Sequence, residues 1–161
     1  VQAGKSDSCD AAQRATPEER SGRVAGIDYG TKRIGIALSD PGRTIASPWE
    51  TYVRHTPDQD AQRMKRLVAE QDVQLFVVGL PLGLDGGETA KSREARAFGR
   101  WLAKVTGVPV EFFDERFTTV EAEQLLAGAE LTHKRRKSRV DKVAAQILLA
   151  AYLDHIRHRP M

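Results

Sequence analysis

Residues Gly26 to Asp40 read GIDYGTKRIGIALSD, two apolar runs joined by a short link that contains glycine. Val24 to Tyr29 and Arg33 to Ser39 predict two β-strands, and Gly30 and Gly35 permit tight geometry near the first connection. Asp40-Pro41-Gly42 has the chemistry of a turn, after which Thr44 to Val53 predicts a third strand. The three make an antiparallel meander. One residue is out of place in it: an unpaired buried carboxylate is costly enough that Asp28 must be neutral, paired or bound to a metal.

Beyond the meander, Asp58 to Gln71 places Ala61, Met64, Leu67 and Val68 on one helical face. VQLFVVGL, Val73 to Leu80, is nearly all apolar, as a central strand covered on both sides should be. The glycine-rich loop PLGLDGGE follows, then a helix over Thr89 to Val105 that buries Ala97, Trp101 and Val105, and a strand over Val108 to Phe113. Strand, helix and strand make a right-handed parallel crossover. Thr118 and Glu121 have the spacing of a capping box opening a helix to about Ala127. A basic loop leads to a last helix, Val140 to Arg157, with Val140, Val143, Ala144, Ile147, Leu148 and Ala151 on one face. The order β-β-β-α-β-α-β-α-α predicts an α/β fold with a five-stranded mixed sheet, the antiparallel meander joined to parallel strands and flanked by helices.

The chain has 161 residues, 40% apolar and 29% charged, which suits one globular domain. Residues 1–22 are small, polar and without periodicity and read as a flexible leader, leaving residues 23–161 as the domain. No apolar run approaches the roughly 20 residues of a membrane span, and the first residues lack a signal-peptide core, so a cytoplasmic address is expected. The single cysteine, Cys9, excludes an internal disulfide and a cysteine-ligated zinc site. In the leader it is an inert thiol or, under oxidation, a link between two copies. Net charge is only +3, but LTHKRRKSRVDK, Leu131 to Lys142, holds six Lys/Arg against one acid. That local excess suits the phosphates of a polyanion, or is simply a solvated basic loop.

Ligands of open α/β sheets gather outside the carboxyl ends of the parallel strands. Asp28 lies near that end of the first strand, and Asp114 and Glu115 at that end of the last. Asp141, opening the last helix, is a third candidate position. Acids converging there, with no cysteine or histidine cluster, describe an oxygen-only site for Mg²⁺ or Mn²⁺ and suit phosphodiester hydrolysis assisted by two ions. Each acid also has a structural explanation. Asp28 could pair with Lys32 or Arg33, and Glu115 with Arg116. Ser138-Arg139-Val140-Asp141 matches a capping box, and a first-turn acid suits the helix dipole, so spacing alone makes Asp141 structural. The loop Gly79 to Thr89 lacks the Lys-Ser/Thr ending of a P-loop and reads as a substrate-facing loop or an ordinary turn before a helix.

GIDYGTKRIGIALSD, VVGLPLGLDGGET (Val77 to Thr89), DERFTT (Asp114 to Thr119) and VDKVAAQILL (Val140 to Leu149) together resemble the YqgF/RuvX family over nearly all of residues 23–157. The resemblance implies a ribonuclease H-like fold, similar to RuvC-type resolvases. It also implies a hydrolase that processes the 5′ end of pre-16S rRNA in ribosome biogenesis, or resolves Holliday junctions in DNA recombination. By position it makes Asp28, Glu115 and Asp141 the catalytic and metal-binding acids, which reverses the structural reading of Asp141. Asp114 is an alternate ligand, because only one of two neighbours on an extended chain should face the metals. Lys134, Arg135, Arg136, Lys137 and Arg139 become nucleic-acid contacts, joined by Lys32, Arg33 and Arg116. Junction resolution, needing two symmetric cuts, would imply a homodimer.

Two other functions stay open at this point. DYGTKRIGIAL also resembles the first phosphate loop of ATP-binding proteins of the actin and sugar-kinase clan, which need two such domains where this length provides one. A non-catalytic RNA-binding ribosome-assembly factor would keep the fold and use only the basic segment.

Overall fold

The computed structural model describes residues 22–117 and 133–159, with the backbone alone for Phe117 and residues 133–140. β1 (Arg23–Asp28), β2 (Arg33–Ser39) and β3 (Ala46–Val53) precede α1 (Pro57–Gln71), β4 (Val73–Leu80) and α2 (Ala90–Thr106). Then come β5 (Val110–Asp114), a 3-10 turn (Glu115–Phe117) and α3 (His133–Arg157). The expected leader with Cys9 and the expected helix opening at Thr118 and Glu121 lie outside the described residues.

The strands form one sheet in the order β3-β2-β1-β4-β5. β1 is antiparallel to β2 and β2 to β3, while β1, β4 and β5 run parallel. The meander and the parallel strands are therefore both present, and the carboxyl ends of β1, β4 and β5 share one edge. Alternation along β1 sends Ala25 and Ile27 to a core with Met64 and Leu67 of α1 and Phe98 and Leu102 of α2. Val24 goes to the opposite face, against Ala145, Leu149, Tyr152 and Leu153 of α3. Two helices thus cover one face and α3 the other. β4 does the same, with Phe76 and Val78 on one side and Val77 on the other, which is why its sequence is continuously apolar.

Local signals mark the helix ends. Thr56 caps α1 in a reciprocal box with Gln59, with Pro57 at the first helical position, and Thr89 caps α2 with Ser92. Three expectations are corrected. On α2 the buried residues are Ser92, Ala95, Phe98, Gly99 and Leu102, and Ala97 is exposed. Phe98 offers far more apolar area than Ala97, so the helix turns it inward, and the buried Ser92 hydroxyl is satisfied within the cap. On α1, Met64 and Leu67 are buried as expected, but so is Asp60.

The basic segment differs from expectation as well. α3 begins at His133, so Lys134 to Arg139 are helical rather than a loop, and Ser138 to Asp141 lie inside the helix rather than at its start. Lys and Arg are good helix formers, and no glycine or proline interrupts the run. The capping and dipole explanations of Asp141 therefore fail, since both act only in the first turn.

Candidate active site

Asp28 ends β1 and, two residues beyond Gly26, lies on the α3 face of the sheet. Its neighbours across the sheet are glycines. Gly35 of β2 is its direct partner, and on β4 Gly79 comes one residue after the Ile27–Val78 pair. A Cβ on Gly35 would stand 2.0 Å from the Asp141 carbonyl oxygen, so the backbone of α3 rests on β2 at this point. A Cβ on Gly79 would stand 2.3 Å from Glu115 Oε1. One hollow seats Asp141 and the other seats Glu115. Tight geometry at Gly35 was legible in the sequence, but what approaches it, and the seat at Gly79, were not.

Asp28 and Glu115 are hydrogen bonded to each other. Burial, followed by the negative charges of Glu115 and Asp141, pushes Asp28 up to about 8. Burial chiefly raises Glu115 too, with Asp114 adding repulsion and the Asp28 hydrogen bond acting the other way. Close, buried carboxyls of this kind disfavour ionising together. Asp141 faces the pair from α3, and its Oδ2 lies 3.0 Å from Arg33 Nε. Arg33 stands two residues before Gly35 on β2, hence on the same face of the strand.

Asp114 is turned elsewhere. Its Oδ2 accepts from Arg116 Nε at 2.8 Å and lies 2.6 Å from Nη2, while Oδ1 accepts the Arg116 backbone N–H at 2.9 Å. The hydrogen bond from Arg116 holds its carboxyl below the usual range. The 3-10 turn thus separates the two neighbouring acids, Glu115 going to Asp28 and Asp114 to Arg116. Arg116 also donates to the Leu84 carbonyl at 3.4 Å, tying the glycine-rich loop to the site, with Leu84 fully exposed on it.

Lys32 is exposed in the β1–β2 turn, where its carbonyl accepts the Arg54 N–H at 2.9 Å. The backbone of Lys134 to Arg139 forms the turns of α3 just before Asp141. With a rise of 1.5 Å per residue, the run reaches about 10 Å along the axis from it.

The donor set is all oxygen and suits Mg²⁺ or Mn²⁺. A cation among these acids would relieve the repulsion that raises Asp28. Among the described residues no three acidic, histidine or cysteine side chains already stand together to hold an ion, and Asp141 is engaged by Arg33. Also among the described residues, no helix is long and apolar enough to cross a membrane.

Known proteins resemble the chain in sequence and in fold. A "Putative pre-16S rRNA nuclease" of Rhodopirellula baltica is 48% identical over 139 residues, 86% of this chain and 80% of that one. A relative of the same name from Rhodobacter capsulatus is 44% identical over 139 residues, 86% of this chain and 87% of its own. Among solved structures, Thermus thermophilus RuvC in complex with a Holliday junction substrate superposes with a TM-score of 0.52. The identity is 17%, over 85% of this chain and 96% of that one. The fowlpox virus resolvase with Holliday junction DNA gives 0.53 at 8% identity, over 83% and 98%. At such identities the likeness is one of fold, the ribonuclease H-like fold of RuvC-type resolvases. The model of a family described as RuvX, Holliday junction resolvase, matches residues 22–155, and the chain belongs to that nuclease family.

Proposed function

We propose that the chain hydrolyses phosphodiester bonds of structured nucleic acid in the cytoplasm, with Mg²⁺ or Mn²⁺ held by Asp28, Glu115 and Asp141. The substrate is the 5′ side of precursor 16S rRNA, a four-way DNA junction, or both. The observation that carries this is the hydrogen-bonded Asp28–Glu115 pair at the carboxyl end of β1, with Asp141 facing it from α3. Two bound divalent ions supply an acidified water and positive charge for the leaving oxygen. The chain's own part is to hold and to orient. Asp28 and Glu115, once ionised, form an anionic cradle on a rigid sheet edge, with Asp141 as the third donor from the helix.

Cations bind the backbone of the substrate. Lys32 is exposed beside the cradle, and Arg33 and Arg116 border it, both within ion pairs that phosphate oxygens can enter. Lys134, Arg135, Arg136, Lys137 and Arg139 add a charged stretch on the helix that carries Asp141. Asp114, committed to Arg116, orients that guanidinium rather than a metal.

The test is a cleavage assay on both substrates side by side, with each ion, comparing wild type with Asp28→Asn. Metal-dependent cutting of one substrate, abolished in Asp28→Asn while nucleic-acid binding persists, is the expected result. No cutting of either by wild type would overturn the proposal and leave a binding role. Junction resolution further requires a two-fold dimer, so a strict monomer in solution would leave rRNA processing as the activity.

A further inference from the structure

Arg33 occupies an unusual position for a residue that binds substrate. Strand alternation puts it on the same face of β2 as Gly35, the residue on which the α3 backbone rests at Asp141. Its guanidinium Nε is consequently 3.0 Å from Asp141 Oδ2. The Arg33 side chain is 35% exposed and that of Asp141 22%, so the cation is within reach of solvent while the acid is less so. Asp28 is the direct partner of Gly35 across the sheet, and Glu115 is seated against Gly79, so both acids share this sheet edge with Asp141. The acid that should complete the cradle is thus held by a cation.

Resting on the functional reading above, we propose that Arg33 is a latch that couples the two ligands. In the free protein it pairs with Asp141 and keeps the third donor from the cation. A nucleic-acid phosphate draws Arg33 into its own charge-assisted hydrogen bonds, and Asp141 is released toward Asp28 and Glu115. Arg suits the exchange because its planar fork matches carboxylate and phosphate equally well. Coupling of this kind is reciprocal, so the divalent ion also strengthens nucleic-acid binding. The protein then loads its metal fully only with substrate in place.

The experiment follows free Mn²⁺ by electron paramagnetic resonance during titration of the full chain. It is run alone and with a saturating four-way DNA junction or precursor 16S rRNA hairpin, after subtraction of ion bound by the nucleic acid itself. Samples are mixed cold and read before turnover. For wild type, nucleic acid should raise Mn²⁺ affinity about 10-fold, within the usual range of coupling between two sites. Arg33→Gln should bind Mn²⁺ about 10-fold more tightly than wild type without nucleic acid and gain little more from it. Arg33→Lys keeps the charge without the fork and should retain part of the coupling.

Equal coupling in wild type and Arg33→Gln would overturn the latch, as would an Arg33→Gln variant with unchanged Mn²⁺ affinity in the absence of nucleic acid. Wild type that binds Mn²⁺ without any response to nucleic acid overturns the latch alone. Failure of wild type to bind Mn²⁺ under either condition overturns the metal site as well. The Asp141 oxygen of this contact is buried, so circular dichroism and a thermal melt are run on each variant to establish that it is folded.

Discussion

Asp28 is held at a cost that the fold bears for the sake of the site. A carboxyl whose folded pKa is raised to about 8 binds its proton more tightly than the unfolded chain, whose value is about 3.9. Between those values the folded state carries the extra proton, so stability falls as pH rises through the window. Asparagine is neutral without taking up a proton, so Asp28→Asn should make the metal-free protein more stable at pH 7. The gain should be about 1–3 kcal/mol, after allowing for water that reaches this edge of the sheet, and should vanish near pH 4. Denaturant melts at the two pH values, with chelator present, check the sign. In Gly79→Ala the added methyl overlaps Glu115 Oε1, so metal-dependent cleavage should fall about 100-fold even if the protein still folds. Activity measured beside a melt separates the two effects.

At the scale of elements, the seat of α3 on β2 decides whether Asp141 belongs to the site. Gly35 receives helix backbone rather than a flexible side chain, so Gly35→Ala cannot be relieved by a rotamer change. It should lift α3 and cost about 1–3 kcal/mol, with activity lost alongside, as read by a thermal melt and a cleavage assay. Much of the element layout was legible. β2 and β4 coincide with their predicted spans, and Thr56 and Thr89 carry recognisable caps. The start of α3 was not, because a run of Lys and Arg reads equally as solvated loop and as helix when nothing apolar gives it a period. The buried face of α2 was displaced for a related reason: Ala97, Trp101 and Val105 satisfy helical spacing, but Phe98 packs against Tyr29 and Trp101, at ring separations of 4.9 and 5.5 Å.

Across the whole molecule, a buried ionic cluster ties the end of the meander to both helices of one layer. Asp60 on α1 is 1% exposed and accepts from Tyr52 Oη at 2.7 Å, the His55 N–H at 2.9 Å and Arg54 Nε at 3.3 Å. Arg54 lies over the rings of Tyr29 and Phe98, 5.4 and 5.6 Å from their centroids, and so reaches β1 just past Asp28. Burial opposes the Asp60 charge, but the His55, Tyr52 and Arg54 hydrogen bonds outweigh it and lower the pKa. A depressed carboxylate contributes fully above its unfolded value and loses that contribution as pH falls through the folded one. Asp60→Ala should therefore cost about 3 kcal/mol at pH 7, and its melting curve should converge on wild type below the ordinary carboxylate range.

The strands, the helical periodicity and the short roster of acids from which a site could be built were legible in the chain. Those depend on residues near one another in the chain, where alternation, capping and turn chemistry act. Which acids meet was settled by the packing of distant segments. Glu115 and Asp114 are adjacent and chemically alike, yet the 3-10 turn sends one to Asp28 and the other to Arg116. Asp141, whose own surroundings argue for a helix cap, reaches the cradle because a glycine 106 positions earlier lets the backbone of α3 lie against β2. Charge repulsion and hydrogen bonding act over a few ångströms of space, and that proximity is set by register and packing rather than by any local pattern.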